Sequence, residues 1–285
     1  MAIPLEILQN WSKQGKSDNS KITYEAIKNL IERELGYNYD IFLQGSYHNT
    51  THVKENSDID IVVIDKNLTI NNSPLRLYGN IGDLQNFKSR LFYHIQYQNN
   101  FTFELGNKTI KYAGNNYYVE ADIVPCAYYR EYSSFQVGTI IYDTDSEKYF
   151  INYPRQHYDN GVQKSNSTND NFKKTVRMFK NARNYAVKKH ILSSEDIAPS
   201  YFLECLIYNV PNIYFLGNES SIFLNVLKWL YNHKSNLANL KCQNGIQKLF
   251  GNPDTSSITY NKWNTANANT FIDKIIYLWN NWSQI

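Results

Sequence analysis

The sequence predicts an α+β fold: a mixed sheet with helices in the first half, packed on a helical second half with a cleft between them. Short β-rich runs separated by turn signals fill the chain up to about residue 151. From Pro154 onward the apolar spacing is almost wholly helical. With 285 residues, 42% of them hydrophobic, the chain is long enough for one large domain or two modest ones, each with its own core. The expected division is 1–155 and 156–285.

The elements follow in order. Residues 18–35 read as a helix, because Ile22, Ala26, Ile27, Leu30 and Ile31 form an apolar stripe and Gly36 stands at the C-cap position. Leu43-Gln44-Gly45-Ser46 reads as a strand running into a turn. A second strand begins at Asp58-Ile59-Asp60 and continues Ile61-Val62-Val63-Ile64. Residues 65–80 read as polar and turn-rich. Leu84, Phe87, Leu91 and Ile95 mark a second amphipathic helix. Strands are expected at 108–112 and 117–124, joined through a hairpin at Gly114-Asn115-Asn116 and closed by Pro125. A further hairpin covers 139–151. Helices are expected at 171–189, 199–209, 221–233 and 265–282. No internal repeat and no low-complexity linker interrupts the chain.

Composition narrows the classes. The 19% charged content excludes a disordered chain, and a net charge of +3 is too small for a dedicated nucleic-acid coat protein. The three cysteines, Cys126, Cys205 and Cys242, form neither a disulfide framework nor a zinc pattern, so a reducing cytoplasm is expected. The N-terminal residues lack the features of a signal peptide, and no run is apolar enough to span a bilayer. The 24 tyrosines read as a composition bias.

Strand alternation puts Asp58 and Asp60 on one face. Two neighbouring carboxylates repel each other unless a cation sits between them, and Mg²⁺ suits such hard oxygens. The strand Val119-Glu120-Ala121-Asp122 brings a third carboxylate, and Glu120 and Asp122 share a face, so either can join the pair. Three such groups would hold two metal ions for an in-line displacement at phosphorus. Gly45 lets the backbone approach a phosphate, and Ser46 can hold its oxygens.

In the second half, Lys173, Arg177 and Lys180 align on one helix face beside the apolar Phe172, Val176 and Phe179, so the cations are expected to border the cleft. Pro199-Ser200-Tyr201 opens the next helix; Ser200 can take a phosphate and Tyr201 offers a ring for a base. Taken alone, the pair reads as an N-cap and a core aromatic. His157 reads as a hydrogen-bonded structural histidine. Residues 157–169 are expected to line the cleft, where Asn160, Asn166 and Thr168 can address a base edge; in an asparagine-rich chain each of these also reads, more simply, as part of a polar loop.

Gly45-Ser46, Asp58-x-Asp60 and a later strand-borne Asp122 together resemble the nucleotidyltransferase fold of the DNA polymerase β superfamily. Ser200-Tyr201 after a basic helix resembles the nucleotide pocket of the cGAS/DncV-like nucleotidyltransferases. The segments from Asn152 to Gly161, Thr175 to Asn184 and Pro199 to Pro211 are similar to their bacterial clade E, and the resemblance covers about residues 40–215. It implies a polymerase-β-like palm carrying Asp58, Asp60 and Asp122 as catalytic ligands of two Mg²⁺ ions, with Mn²⁺ as a substitute. Gln44, Gly45, Ser46, Asn160, Asn166, Arg177, Lys180, Ser200 and Tyr201 become the nucleotide-binding candidates.

The implied activity is a cytoplasmic, monomeric synthase that joins two or three NTPs into a cyclic oligonucleotide and releases pyrophosphate. Its setting would be CBASS antiphage signalling, with the product acting on a separate effector and with no stable nucleic acid or membrane as partner. Two other readings are a CCA- or poly(A)-type terminal transferase on RNA or tRNA, and a non-catalytic nucleotide-binding module.

Overall fold

The structure, a computed structural model, describes residues 2–16, 18–53, 57–72, 77–98, 101–131, 137–250 and 263–285. It divides into two compact units, one of residues 16–48 and 54–155 and the other of residues 1–15, 49–53 and 156–285. This differs from a single cut at 155/156. The N-terminal segment and a five-residue piece after the Gly-Ser turn group with the helices.

The sheet unit starts with one helix, followed by strands and helices. In the chain α1 (Leu5–Ser12), which belongs to the helical unit, precedes α2 (Asp18–Leu35). Then come β1 (Tyr39–Gln44), the single helical turn α3 (Gly45–His48), β2 (Ile59–Asn72) and β3 (Leu77–Gly79). They are followed by α4 (Ile81–Ile95), β4 (Tyr97–Gln98), β5 (Phe101–Leu105), β6 (Ile110–Tyr112), β7 (Ala121–Glu131), β8 (Val137–Asp143) and β9 (Lys148–Asn152). The sheet runs β1-β2-β7-β6-β5-β4, with β3 beside β2, β8 beside β7 and β9 beside β8. Only β2 and β7 are parallel among these pairs, so the sheet is mixed.

β2 is central because both its faces are apolar: Ile59, Ile61, Val62, Val63 and Ile64 are all buried. Val62 and Ile64 cluster with Val124 and Cys126 of β7, while α4 packs against β2 and β7 and α2 against β1 and β2. In α4 the expected stripe of Leu84, Phe87, Leu91 and Ile95 is buried. In α2 the stripe is rotated. Ile22 is 56% exposed and Thr23 is buried in its place. The Thr23 hydroxyl donates to the Asn19 carbonyl and accepts from the Val119 N–H, which rewards the burial of a polar residue.

Three further expectations change. Residues 65–72 continue β2 past an irregularity between Ile64 and Thr69, instead of turning; residues 73–76 lie outside the described residues. Pro125 stands inside β7 and does not close it. β6 pairs with 121–123 and β8 with 127–130, so at Pro125 the strand has only β2 beside it and a missing N–H costs no second ladder. The Gly114 turn exists, with Asn115 Oδ1 accepting from the N–H groups of Tyr117 and Tyr118, but the connection spans 113–120 and is longer than a tight hairpin.

The helical unit contains α5 (Pro154–Ser167), α6 (Asn171–Lys188), α7 (Ser200–Tyr208), α8 (Glu219–Asn232) and α9 (Thr265–Asn280). Its core joins Phe172, Val176 and Phe179 of α6 with Phe202 and Leu206 of α7, Phe223 of α8, Phe271 of α9 and Leu8 of α1. The expected loop at 157–169 is mostly helix. Pro154 occupies the first helical position, where its missing N–H is harmless. Gly161 lowers the helical signal, but it lies against Gln243, whose side-chain amide would have to shift to admit a Cβ.

Candidate functional site

Four strands of the sheet unit line up one row of side chains. Gln44 of β1 pairs in register with Asp60 of β2, Asp60 with Asp122 of β7, and Asp122 with Lys111 of β6. Residues opposite one another share a face. Asp58, two positions before Asp60, falls on that face as well. Thus the parallel β2–β7 ladder turns two separate sequence signals into one carboxylate group. Of the alternatives Glu120 and Asp122, it is Asp122 whose charge acts on Asp60.

Asp60 bears the strain of the arrangement. Burial and the negative charges of Asp58 and Asp122 push its pKa up to about 7. Burial raises the Asp122 pKa too, while Lys111 and a hydrogen bond from Thr109 Oγ1 (3.3 Å) pull the other way. Among the described residues the carboxylates are sheet neighbours and do not close into a ready-made three-ligand cage. The donor set nevertheless fits a hard divalent cation, since its oxygens are anionic and clustered. Gly45 supports the fit. It adopts φ +76°, and a Cβ at this position would overlap the Asp60 carboxylate. Ser46 follows in α3, half-buried.

The helical unit places its candidates differently. Lys180 is not on a solvated basic face. It is 1% exposed, and its ammonium donates to Glu204 Oε1 (2.7 Å) and to the Thr51 carbonyl and hydroxyl (3.2 Å each). Arg177 is buried, donating to the carbonyls of Ser12 (2.6 Å) and Thr50 (2.5 Å). The reason lies in α6 itself, which is surrounded by α1, α7, α8 and α9, so even its basic side is enclosed. Lys173 is half-buried near the Tyr158 ring.

Ser200 is the first residue of α7, with Arg183 Nη1 at 3.5 Å from its hydroxyl. Tyr201 already stacks with two rings, His157 at 4.7 Å and Trp263 at 5.5 Å between centroids. His157 is buried and bonded to Glu204 Oε2 at 3.1 Å, as a structural histidine is. Asn160 donates to the Gln243 carbonyl, Asn166 is exposed on α5, and the Thr168 hydroxyl is turned back to the Lys164 carbonyl.

Glu204 went unnoticed in the sequence. It is 2% exposed and charged: burial alone would raise its pKa, but Lys180 and His157 outweigh it and hold the carboxyl well below the usual range. A lone glutamate inside the apolar run Phe202-Leu203-Glu204-Cys205-Leu206 was the available signal, because a buried carboxylate requires partners. Thr109 and Lys111 carried no such signal, and only the sheet register reveals them.

Known proteins extend the picture. The cyclic UMP-AMP synthase of Rhodothermus marinus is 33% identical over 304 residues, covering all of both chains. The chain belongs to the cGAS/DncV-like nucleotidyltransferase family. The family's C-terminal helical domain matches residues 159–280. Cyclic nucleotide synthase CdnE01 of Staphylococcus haemolyticus is 34% identical, covering 99% of this chain and 100% of its own. The Rhodothermus marinus CdnE c-UMP-AMP synthase, solved with Apcpp and Upnpp, superposes with a TM-score of 0.86 at 32% identity, covering 99% of this chain and 98% of that one. The CdnE cyclic dinucleotide synthase of Elizabethkingia meningoseptica, solved with GTP and Apcpp, gives 0.82 at 28% identity, covering 97% and 99%. Like these CdnE structures, the chain combines a mixed sheet with a helical C-terminal domain.

Proposed function

We propose that this nucleotidyltransferase joins nucleoside triphosphates into a cyclic dinucleotide or trinucleotide and releases pyrophosphate. The observation that carries this reading is the row Gln44–Asp60–Asp122–Lys111 with Asp58 beside it, in a chain matched end to end by cyclic nucleotide synthases. Those relatives disfavour the RNA terminal transferase and the non-catalytic module alike.

Asp58, Asp60 and Asp122 would hold Mg²⁺, two ions in the full arrangement, with Mn²⁺ as a substitute. Bound there, the metal supplies charge neutralisation and polarises the phosphate to be attacked. Asp122 orients the attacking ribose hydroxyl and accepts its proton as the oxygen bonds to the α-phosphorus and the bond to pyrophosphate breaks. A second round of the same step closes the ring. Gln44, Gly45 and Ser46 border the donor triphosphate, with Gly45 giving clearance and Ser46 a hydroxyl donor. Ser200 holds phosphate oxygens from the start of α7, and Tyr201 sets the base beside the stack it already forms. Lys180 and Arg177 reach a phosphate only by leaving their present partners; while paired, they hold residues 50–51 in place. Asn160 and Asn166, one turn and a half apart on α5, serve base choice.

Relatives at 30 to 33% identity are named for UMP-AMP, dipurine and dipyrimidine products, so the shared fold does not by itself set base choice. We assign the chain to the cytoplasm as a monomer in CBASS signalling, with its product acting on a separate effector. No helix among the described residues is long and apolar enough to cross a membrane. The test is turnover of labelled NTPs with Mg²⁺ or Mn²⁺. Wild type should give phosphatase-resistant products, identified by mass spectrometry from a four-NTP mixture. Asp58→Asn with Asp60→Asn should lower product formation by about three orders of magnitude or more. Equal products from both proteins would refute the mechanism.

A further inference from the structure

Residues 49–52 are held with unusual completeness. They belong to the helical unit, although the chain on either side of them belongs to the sheet unit. Asn49 Nδ2 donates to Glu204 Oε2 at 2.9 Å, and Thr51 Oγ1 donates to Glu204 Oε1 at 2.6 Å. Lys180 donates to Thr51, and Arg177 to the Thr50 carbonyl. The His52 carbonyl accepts from the Gly15 N–H at 3.2 Å, and its ring Nε2 lies 2.9 Å from the Gly15 carbonyl. Asn49, Thr51 and His52 are all at most 6% exposed.

Within this segment Thr50 has φ +56°. A β-branched residue avoids the left-handed region, and such a conformation persists only where its surroundings over-determine it. Here the carbonyls and side chains on both sides of Thr50 are bound. Glu204 is the hub, since one carboxylate takes Asn49, Thr51, Lys180 and His157 together.

We infer that residues 49–52 are a positioning strap, and that Glu204, through Asn49 and Thr51, is a positioning residue for nucleotide binding at Ser46. The strap anchors the chain three residues after Ser46 and six before Asp58. By continuity of the backbone it limits the orientations of the Gly45–His48 turn. Loosening it therefore weakens nucleotide binding while the carboxylates remain in the sheet. The inference rests on the proposed role of Ser46 as a triphosphate contact.

The test uses the full chain with Asn49→Ala, which removes one donor to Glu204, and Thr50→Gly, which accepts the left-handed conformation without strain but frees the segment. Hydrogen exchange at residues 45–52, thermal midpoint, and KM and kcat for NTP consumption are measured together. Both variants should exchange faster at 45–52 and raise KM by about ten-fold, with kcat within about two-fold. Thr50→Gly should keep the wild-type thermal midpoint, which a purely structural role cannot combine with a raised KM. If exchange increases and KM stays within about two-fold of wild type, the strap does not position the turn and the inference fails. Unchanged exchange in the double variant Asn49→Ala, Thr51→Ala, which removes both side-chain bonds from the strap to Glu204, also overturns it, because Glu204 then does not hold the strap. Should Asn49→Ala fail to fold, Thr50→Gly decides by the same criteria. Absence of product from wild type counts against the proposed function, and the exchange comparison still decides whether Glu204 holds the strap.

Discussion

Asp60 and Glu204 are both enclosed carboxylates, and their surroundings drive them in opposite directions. Asp60 has two other carboxylates for neighbours and rises to about 7. Glu204 has Lys180, His157, Asn49 and Thr51, and its pKa falls. The same residue chemistry thus marks two kinds of centre. Where three carboxylates are gathered, with Lys111 acting on Asp122 alone, burial and mutual repulsion raise the carboxyl pKa. Where every oxygen is matched by the protein's own donors, the carboxylate serves the architecture.

Breaking the matched centre should cost most. Glu204→Gln leaves the Lys180 ammonium buried without its counter-charge, and a stability loss of about 3–5 kcal/mol in urea unfolding is expected. Replacing Lys180 by Met in the same protein should recover part of that loss, since the uncompensated charge is gone. Gly45→Ala attacks the other centre. Its Cβ meets the Asp60 carboxylate and its φ is unfavourable, so product formation should drop by about 10²-fold with about 1–2 kcal/mol of stability lost.

Asp60→Asn should act in the opposite direction on stability. In buffer free of divalent metal at pH 8 it removes a repelled charge and should raise stability by about 1 kcal/mol, and in a separate assay with Mg²⁺ it should abolish turnover. A loss of stability there would contradict the repulsion.

The smallest effect is the pH dependence of Glu204. Its folded pKa lies below the unfolded value near 4.5, so its stabilisation is complete above that pH and is lost as pH falls from there toward the folded value. Urea midpoints between pH 6 and 3 should therefore fall more steeply for wild type than for Glu204→Gln.

The comparison also explains what could be read from the sequence. Asp58, Asp60 and Asp122 were legible because strand alternation is local and three acids on apolar strands are conspicuous. α4 and most helices of the second half were legible from apolar period. The position of Pro125 was not, because its tolerance depends on where two neighbouring strands stop and start. Nor was α5, whose polar sequence and Gly161 hide the helix, while Gly161 packs against Gln243, a residue 82 positions away. The burial of Lys180 was hidden for a related reason. Spacing shows which residues share a face but not whether four other helices enclose it. Glu204 owes its charge to partners 24, 47 and 155 positions away, a range over which no local pattern reports.

The partition of the chain bears on how such enzymes can diverge. A crossover at residue 155 would exchange the helical half between relatives, yet leave α1 and the 49–53 segment behind with the donor of the sheet. Every recombinant would then carry a foreign partner for Glu204, Lys180 and Arg177. Inheritance of the helical half is therefore linked to that of α1 and the 49–53 segment.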